Sequence, residues 1–351
     1  MTQRWRIRVL GAGVAGLAAA IALAADGHDV ELIDESFAVP TVGTSLGMFG
    51  SAQRVLHRFG ILEAVQEVSA SPRQGSLIGA DSRVIATVPA GDALLVARSD
   101  LVRILQQAVP GTVRISRRRV EDVRPLREDA DLLLGADGVH SLVRRSGWPG
   151  SAARNHGLTV LRGTADIDPP EVAETWGGGW LVGITPLAGS GRDDAGPAGT
   201  NWFACLPEHR TPSVAEDLAH LRALVGGRRA PIDELLGAVR AETTLVHGIH
   251  SAPPVHPVRQ NVALLGDAAH AMAPNLGHGA NTALEDADAL AASLRDRSGI
   301  PAALRAYARR RAAVDQAWRL GSALMMRMAM MRSGAGARDR ALRGIASLGP
   351  R

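Results

Sequence analysis

The sequence contains no lysine and only one cysteine, and each shortage excludes a class of protein. All 39 basic residues are arginine against 35 acidic residues, so the formal net charge of +4 does not favour nucleic-acid binding. The run Arg117 to Arg119 is more typical of a solvated strand or sheet edge. Cys205 cannot form an intrachain disulfide, which predicts a cytoplasmic location and a buried thiol without catalytic function. No apolar run reaches the roughly 18 residues of a membrane span, so we expect no membrane insertion.

A dinucleotide-binding fingerprint is present at the start of the chain. A strand-like run, 6–10, leads into Gly11, Gly13 and Gly16, a small-residue helix follows, and a second strand ends at Asp34. Gly11 permits a tight turn, Gly13 lets the backbone approach a pyrophosphate, and Gly16 lets helix and strand pack closely. The carboxylate of Asp34 can accept hydrogen bonds from an adenosine ribose. This pattern predicts a bound dinucleotide and leaves NAD and FAD both open.

Two later segments have the same character. The run 131–144 contains Asp137 and Gly138 after an apolar strand, and the run 262–281 contains Gly266, Asp267 and a glycine-rich loop. Ligands of open α/β sheets bind at the carboxyl ends of the strands, where these residues are expected. Together with the fingerprint, the three motifs resemble the FAD-dependent aromatic hydroxylases, the single-component flavin monooxygenases related to p-hydroxybenzoate hydroxylase. The resemblance covers roughly residues 6 to 320.

The resemblance implies which residues hold the cofactor. Two of them depart from the usual family residue: Asp34 stands in place of glutamate, and His278 in place of glutamine. The implied FAD-binding residues are Gly11, Gly13, Ala15, Gly16, Asp34, Arg98, Asp137, Gly266, Asp267, Pro274, Gly277, His278, Gly279, Ala280 and Asn281.

The resemblance also implies a reaction. FAD would be bound non-covalently, NADPH or NADH would donate hydride transiently, and a flavin C4a-hydroperoxide would transfer one oxygen atom from O₂. The substrate would be a small hydrophobic or aromatic molecule of secondary metabolism. A tryptophan-type halogenase would require a lysine that this chain lacks. A cyclase-type enzyme that keeps FAD without redox chemistry remains the alternative.

The fold expected is α/β: a Rossmann-like FAD-binding domain with an inserted, mainly antiparallel substrate domain and a C-terminal helix. The FAD-binding domain would comprise 1–72, 92–146 and 256–300, and the substrate domain 73–91 and 147–255. Residues 301–351 would form a C-terminal helical region. We expect a monomer or homodimer.

The catalytic residues do not follow from the sequence. Candidates for a base or for a flavin-side contact are His278, Pro274, His247 and Tyr307, with His250 and His256 as weaker ones. His247 and His250 have no third ligand beside them, so no metal is expected. His278 has two interpretations, a residue at the flavin's pyrimidine edge or a solvent-facing loop residue.

Overall fold

The structure is a computed structural model that describes residues 3–40, 44–167, 171–188, 199–209, 211–227 and 231–347. In chain order the strands are β1 (Arg6–Leu10), β2 (Asp29–Asp34), β3 (Ser45–Met48), β4 (Ser69–Ala70), β5 (Gln74–Ile78), β6 (Val84–Pro89), β7 (Leu94–Ala97), β8 (Arg114–Arg117), β9 (Leu132–Gly135), β10 (Arg154–Ala165), β11 (Val172–Trp176), β12 (Leu181–Pro186), β13 (Thr200–Pro207), β14 (Thr244–Ser251), β15 (Val258–Arg259) and β16 (Val262–Leu264). The helices are α1 (Val14–Ala25), α2 (Gly50–Arg58), α3 (Leu62–Glu67), α4 (Arg98–Ala108), α5 (Arg124–Glu128), α6 (Leu142–Gly147), α7 (Val214–Val225), α8 (Ile232–Ala238), α9 (Asp267–His270), α10 (Gly279–Asp296), α11 (Ile300–Ala329) and α12 (Ala335–Ala346).

The first sheet has the strand order β15-β16-β9-β1-β2-β8 and is parallel except for β15. Its central strands β1 and β9 are almost entirely buried, as parallel strands covered by helices on both sides require. Helix α1 packs between this sheet and α10, and its alanines allow the close approach. The arginine run 117–119 starts at the last residue of β8, an edge strand, as the sequence predicts.

The second sheet has the order β14-β10-β13-β12-β11-β5-β6 and is antiparallel except where β11 meets β5. Alternate residues of its strands, such as Leu161 and Trp202, pack under α7 and α8. The opposite face contacts α11 through Val160, Cys205 and their neighbours. The hairpin formed by β5 and β6 joins this sheet from far earlier in the chain.

A small third sheet, β3-β7-β4, corrects one expectation. Strand-like and helical runs alternate over 94–145, which predicts a parallel sheet that includes β7, but β7 pairs antiparallel with β3 and β4. The buried Asn201 of β13 connects this small sheet to the second one, because its side-chain oxygen accepts a hydrogen bond from Ser45 N–H at 3.0 Å.

Two long helices, α10 and α11, precede the shorter α12, which is the last helix of the described part of the chain. The second of them, α11, has nearly the bounds that the sequence suggests for a helix from Pro301 to Met331. Among the described residues, none of the helices combines the length and the apolar character that crossing a membrane requires.

Candidate functional site

The motifs found in the sequence meet at one edge of the first sheet. Strands β1, β2, β9 and β16 are parallel neighbours, and their carboxyl ends carry Gly11, Asp34, Asp137 and Gly266. Because parallel strands end at a common edge, these residues converge although the chain separates them widely. We name this convergence the strand-end site.

The three glycines of the fingerprint have three different surroundings. Gly11 has φ +105°, and a Cβ atom there would lie 2.3 Å from Ala136 O. A Cβ at Gly16 would lie 1.8 Å from Gly11 O, so a side chain at either position collides with backbone. A Cβ at Gly13 would meet nothing within 4 Å. Packing therefore does not require glycine at position 13, and the Gly13 backbone borders open space at the N-terminus of α1.

Helix α1 offers backbone donors to that space. Leu17 N–H bonds Gly13 O at 2.9 Å, and no side chain caps the helix. The amides before Leu17 are those that a helix leaves without intrahelical partners, and they coincide with its positive dipole end. This arrangement suits a pyrophosphate.

Two carboxylates border the same space. Asp34 accepts hydrogen bonds from Ala12 N–H at 2.6 Å and Ser36 N–H at 2.9 Å, which hold the carboxylate beside the glycine turn. Asp267 follows Gly266 at the start of α9 and its side chain is exposed. Gly266 has φ +56°, and a Cβ there would lie 2.9 Å from the Ala15 methyl group. Ala15 and Gly266 thus pack together and bring α1 next to Asp267.

The loop from Pro274 to His278 and the start of α10 form the far end of the site. Pro274 begins a single 3-10 turn, and Gly277 has φ +60° in the left-handed region. Thr282 N–H bonds His278 O, so the preceding amides of Gly279, Ala280 and Asn281 are the unpaired donors of the helix N-terminus. Pro274 and Gly277 are exposed. These residues, with the open space before Gly13 and the exposed carboxylate of Asp267, fit the FAD that the sequence predicts.

Asp137 and Asn281 need correction as side-chain ligands of the cofactor. Asp137 accepts hydrogen bonds from Ser141 Oγ at 2.5 Å and Leu142 N–H at 2.6 Å, so it caps helix α6. Asn281 is fully buried; it accepts from Phe49 N–H at 2.9 Å and donates to Gly47 O at 2.7 Å. Both side chains therefore shape the loops around the site and are occupied within the protein.

Arg144 is a residue whose role sequence reasoning missed. Its buried guanidinium donates to Ala268 O at 2.8 Å and Ser151 O at 2.9 Å, and also to the carbonyl of Val139. It thus fastens the Asp137 segment to the turn after Asp267. The only sequence signal was its place at the end of the second motif.

His278 is neither solvent-facing nor free. Its ring is 7% exposed and stacks on Trp318 at 3.7 Å between centroids and on Phe49 at 5.6 Å. Burial lowers the pKa of His278, an effect that outweighs the nearby Glu285 carboxylate. The imidazole is therefore a neutral packing group beneath the loop, and the solvent-facing interpretation is wrong.

A buried charge network lies behind the strand ends. Asp286 accepts from Gly266 N–H at 2.8 Å and from Arg311 Nε at 2.8 Å, and its Oδ2 lies 2.7 Å from His270 Nε2. Burial opposes the charged imidazolium, but Asp286 and Asp315 together raise the pKa of His270 to about 9. Arg311 also pairs with Asp315 at 2.6 Å, so the cation between these acids is a guanidinium. The absence of a metal stays a prediction.

The other catalytic candidates separate clearly. Tyr307 is fully buried and its hydroxyl donates to Leu264 O at 2.8 Å, so it is wrong as a substrate base. His256 is exposed on the connection before β15, and His250 packs edge-on against His140. His247 lies on β14 opposite Val160, where burial and the charge of Arg162 lower its pKa.

The second sheet presents polar residues toward the strand-end site. Arg162, Phe203, Gly183 and Glu174 lie directly opposite one another on the adjacent strands β10, β13, β12 and β11. We name these four residues the middle row. Directly opposite residues share a face, so the row is on the face that also carries Val160 and Cys205. Arg162 faces Arg98 of the FAD-binding part, and burial together with that repulsion lowers its pKa to about 10.

The middle row contains no counter-ion for its arginine. Arg162 has no ion pair within the described residues, and its Nε is buried without a hydrogen-bond partner. At the other end, the Glu174 carboxylate accepts a hydrogen bond from the Trp176 indole N–H, and burial raises the pKa of Glu174 to about 7. Cys205 is buried nearby with its pKa raised to about 12 by burial, so it is the inert thiol expected from the sequence.

Comparison with known proteins gives two matches to family models. Residues 252–320 match the FAD binding domain model, and residues 9–37 match the model of an NAD(P)-binding Rossmann-like domain. The two matched ranges contain the Gly266-to-Asn281 region and the glycine fingerprint, respectively.

Curated relatives match nearly the whole chain. The chain is 32% identical over 327 residues to 3-amino-4-hydroxybenzoate 2-monooxygenase of Streptomyces cremeus, covering 84% of this chain and 80% of that protein. It is 28% identical over 330 residues to aurachin C monooxygenase/isomerase of Stigmatella aurantiaca, covering 86% and 83%. Among solved structures, HpxO of Klebsiella pneumoniae complexed with FAD and uric acid superposes with a TM-score of 0.81 at 24% identity, covering 96% of this chain and 92% of that one. This last likeness concerns the fold.

Proposed function

The chain belongs to the FAD-dependent aromatic monooxygenases, which use NAD(P)H and O₂ to insert one oxygen atom into a substrate, and on this premise we propose how its residues divide the task. The strand-end site holds FAD, and the space before the middle row holds the substrate. The observation that carries this assignment is the position of the row. Asn201 lies next to the middle row on the same face of the sheet and accepts a hydrogen bond from Ser45 N–H. On the other side of the row, apolar residues of the same face pack with Ala273, which precedes Pro274.

The residues of the strand-end site have separate tasks in this proposal. FAD, when bound, supplies hydride acceptance and the activation of O₂. The α1 amides and Arg98 bind its phosphates, Asp34 its adenosine ribose, and Asp267 its ribityl side. The amides of Gly279 to Asn281 stabilise negative charge at the far end of the cofactor, because a helix N-terminus favours an anion.

The substrate proposed is a small aromatic compound of secondary metabolism. Support comes from the relatives, since the one most identical to this chain among those described above acts on an aminohydroxybenzoate. Support also comes from the half-buried ring of Phe203 in the middle row. We further propose that the enzyme is cytoplasmic and is a monomer or a homodimer. Its domains would have the discontinuous boundaries given above.

Labelled oxygen tests the proposed reaction. The purified FAD-loaded protein is incubated with NADPH or NADH, candidate aminohydroxybenzoates and ¹⁸O₂. We expect substrate-stimulated NAD(P)H oxidation and one ¹⁸O atom in the product. A Glu234→Gln variant on the exposed side of α8, which packs on the face of the second sheet opposite the middle row, serves as the control and should behave like the wild type. Product that forms equally without O₂ or NAD(P)H would instead support the cyclase-type alternative.

A further inference from the structure

The C-terminal helices carry a charge unlike that of the rest of the chain. Residues 297–347 contain eleven arginines and two aspartates, a local net charge of +9 in a chain whose total is +4, so the rest of the chain carries −5. Both acids, Asp315 and Asp339, are buried and form ion pairs with the buried Arg311 and Arg338. Every charged side chain that this region exposes is therefore an arginine. Such an asymmetry indicates an anionic partner.

Helix α11 also exposes a line of apolar side chains. At about 100° per residue, five exposed residues of this helix fall within a sector of about 60°. Two of them are large and stand well out of the surface, since Leu320 is 60% exposed and Leu324 is 59% exposed. A single exposed leucine is ordinary, but several apolar side chains along one face of a helix indicate an interaction surface. We name the five residues the outer stripe: Ala313, Ala317, Leu320, Leu324 and Met331.

Exposed arginines border the outer stripe on both sides. Arg309 and Arg327 lie about 20° beyond one margin of the stripe, and Arg310 lies about 20° beyond the other. Arg310 pairs with Asp296 at 2.9 Å, whereas Arg309 and Arg327 form no ion pair within the ranges that the structure describes. An arginine can extend its guanidinium to lipid phosphates while apolar side chains beside it enter the acyl boundary. The face therefore has the pattern of a helix that lies on a membrane surface.

The charges distinguish between the possible occupants of this face. A second copy of the chain would bring two sets of arginines together around the stripe, and facing like charges repel. A nucleic acid would attract the arginines, but it offers no apolar environment to Leu320 and Leu324. An anionic bilayer suits both groups, because its headgroups attract arginine and its acyl boundary accepts apolar side chains. An acidic protein is the remaining alternative, and vesicles that contain no protein separate it from a bilayer.

The outer stripe belongs to the helix that supports the loop from Pro274 to His278. A Cβ at Gly321 would lie 3.3 Å from Leu276 Cδ1, and Ser322 Oγ lies 3.6 Å from Met272 Sδ. These contacts are on the inner side of α11, whereas the stripe is on its outer side. A surface that touches the stripe is therefore separated from this part of the strand-end site by one helix diameter, about 10 Å.

We propose that the outer stripe and its flanking arginines dock the enzyme on an anionic lipid bilayer, with α11 lying in the plane of the headgroups. Leu320 and Leu324 enter the boundary between headgroups and acyl chains, and the arginines bind phosphates on either side. Docking of this kind is peripheral, since none of the described helices is long and apolar enough to cross a bilayer. The inference goes beyond the proposed reaction and does not depend on it.

Cosedimentation with vesicles tests the docking surface. The FAD-loaded protein is mixed with sucrose-loaded vesicles of phosphatidylcholine alone, or of phosphatidylcholine with about 30% phosphatidylglycerol, which supplies the anionic surface. At about 0.05 M NaCl we expect partitioning onto the anionic vesicles to be at least about tenfold stronger than onto the neutral ones. Most of this difference should disappear at about 0.5 M NaCl, because salt screens the attraction between arginines and headgroups.

Matched variants locate the surface on the molecule. Arg327→Gln and Leu324→Gln should each weaken binding to anionic vesicles about fivefold, and the double variant about twentyfold. Only Arg327→Gln should also reduce the dependence on salt. The controls are Arg240→Gln and Leu224→Gln, which change exposed residues near α8 and α7, on the opposite side of the second sheet from α11. Their double variant should bind within about twofold of the wild type.

A labelled cysteine tests whether the stripe itself enters the bilayer. Cys205 is buried, so a cysteine introduced at an exposed position is the accessible thiol of the described chain. The protein is labelled at Leu324→Cys with an environment-sensitive fluorophore, and in a parallel sample at Leu224→Cys. We expect a blue shift on anionic vesicles from the label at position 324 and none from the label at position 224.

Three results would overturn the proposal. The first is a wild type that does not bind anionic vesicles, and the second is a control double variant that weakens binding as much as Arg327→Gln/Leu324→Gln does. The third is a wild-type dimer that Leu324→Gln dissociates in analytical ultracentrifugation, which would assign the stripe to a second copy. Flavin content and circular dichroism check that each variant is folded. Because no measurement needs turnover, failure of docking leaves the proposed oxygenation standing, and failure of oxygenation leaves docking standing.

Discussion

In the proposed assignment, the strand-end site and the middle row recognise their ligands by different means. The strand-end site uses mainly backbone groups, which are glycines and helix N-terminal amides, together with two carboxylates near strand ends. The middle row uses side chains of strand interiors, selected by the register of four strands. Backbone recognition constrains residue type at fixed spacings, whereas a sheet face can change its ligand with a single substitution. This division between backbone and side-chain recognition explains how one fold can keep its cofactor while its substrate changes.

The largest expected effect separates two glycines three positions apart. In Gly16→Ala the new methyl group would lie 1.8 Å from Gly11 O, so α1 must move away from β1. We expect a loss of about 3 kcal/mol in the free energy of unfolding. A Cβ at Gly13 meets no protein atom within 4 Å, so Gly13→Val should lose much less stability than Gly16→Ala, yet lose FAD because the valine occupies the approach of the pyrophosphate.

Chemical denaturation and flavin content check this pair. Full flavin retention in Gly13→Val would show that the space before α1 is not the phosphate site. Normal stability of Gly16→Ala would contradict the close contact of helix and strand.

An effect of similar size comes from the charge network behind the strand ends. His270 has its pKa raised to about 9 and Asp315 to about 7, so the folded protein holds more protons than the unfolded chain between about pH 4 and pH 9. Stability from His270 is full below its ordinary value of 6.5 and is lost as the pH rises through 9. Wild-type stability should therefore fall from pH 7 to pH 9.5.

Asp286→Asn should flatten that dependence. Asp286 is the main attraction for the His270 proton and, after burial, the main cause of the raised pKa of Asp315, so both shifts shrink in the variant. The variant also leaves Arg311 with one anion fewer at a buried site, at a cost of about 3 kcal/mol near neutral pH. Urea unfolding across the pH range measures both effects. Asp288→Asn is the control, because Asp288 is on the same helix as Asp286 but forms a surface ion pair with Arg58 of α2. An equal pH profile in both variants would refute the network's role.

The sequence predicted the two regions unequally, for physical reasons. Glycine positions such as Gly11 and Gly16 are readable because the backbone geometry admits few other residues there. Arg162 and Glu174 were missed because their positions in one row depend on which strands pair and in which register. Their one sequence signal is a charge inside a strand-like segment, as with Arg162 between Leu161 and Gly163 of β10.

The directions of the side chains were the other feature that the sequence did not reveal. Asp137, Asn281 and Tyr307 stand in or near informative segments, but their polar atoms turn into the protein. Whether a polar side chain serves a ligand or a neighbouring backbone group depends on local caps and loop contacts that sequence spacing does not specify. A motif therefore marks the site, while the structure decides which of its members are free.

The smallest expected effect concerns His278, which lies at the boundary between the two regions. Its ring stacks on Trp318 and Phe49, and burial lowers its pKa, so it is neutral above pH 7. His278→Gln should lose about 1 kcal/mol of stacking and leave the flavin midpoint potential and its pH dependence unchanged between pH 7 and pH 8.5. Trp318→Leu removes the same stack from the other side and should have a similar consequence for stability. Spectroelectrochemical titration checks the potential: a lower potential in His278→Gln but not in Trp318→Leu would mean that an imidazolium charge acts on the flavin, and that the side chain of His278 belongs to the strand-end site after all.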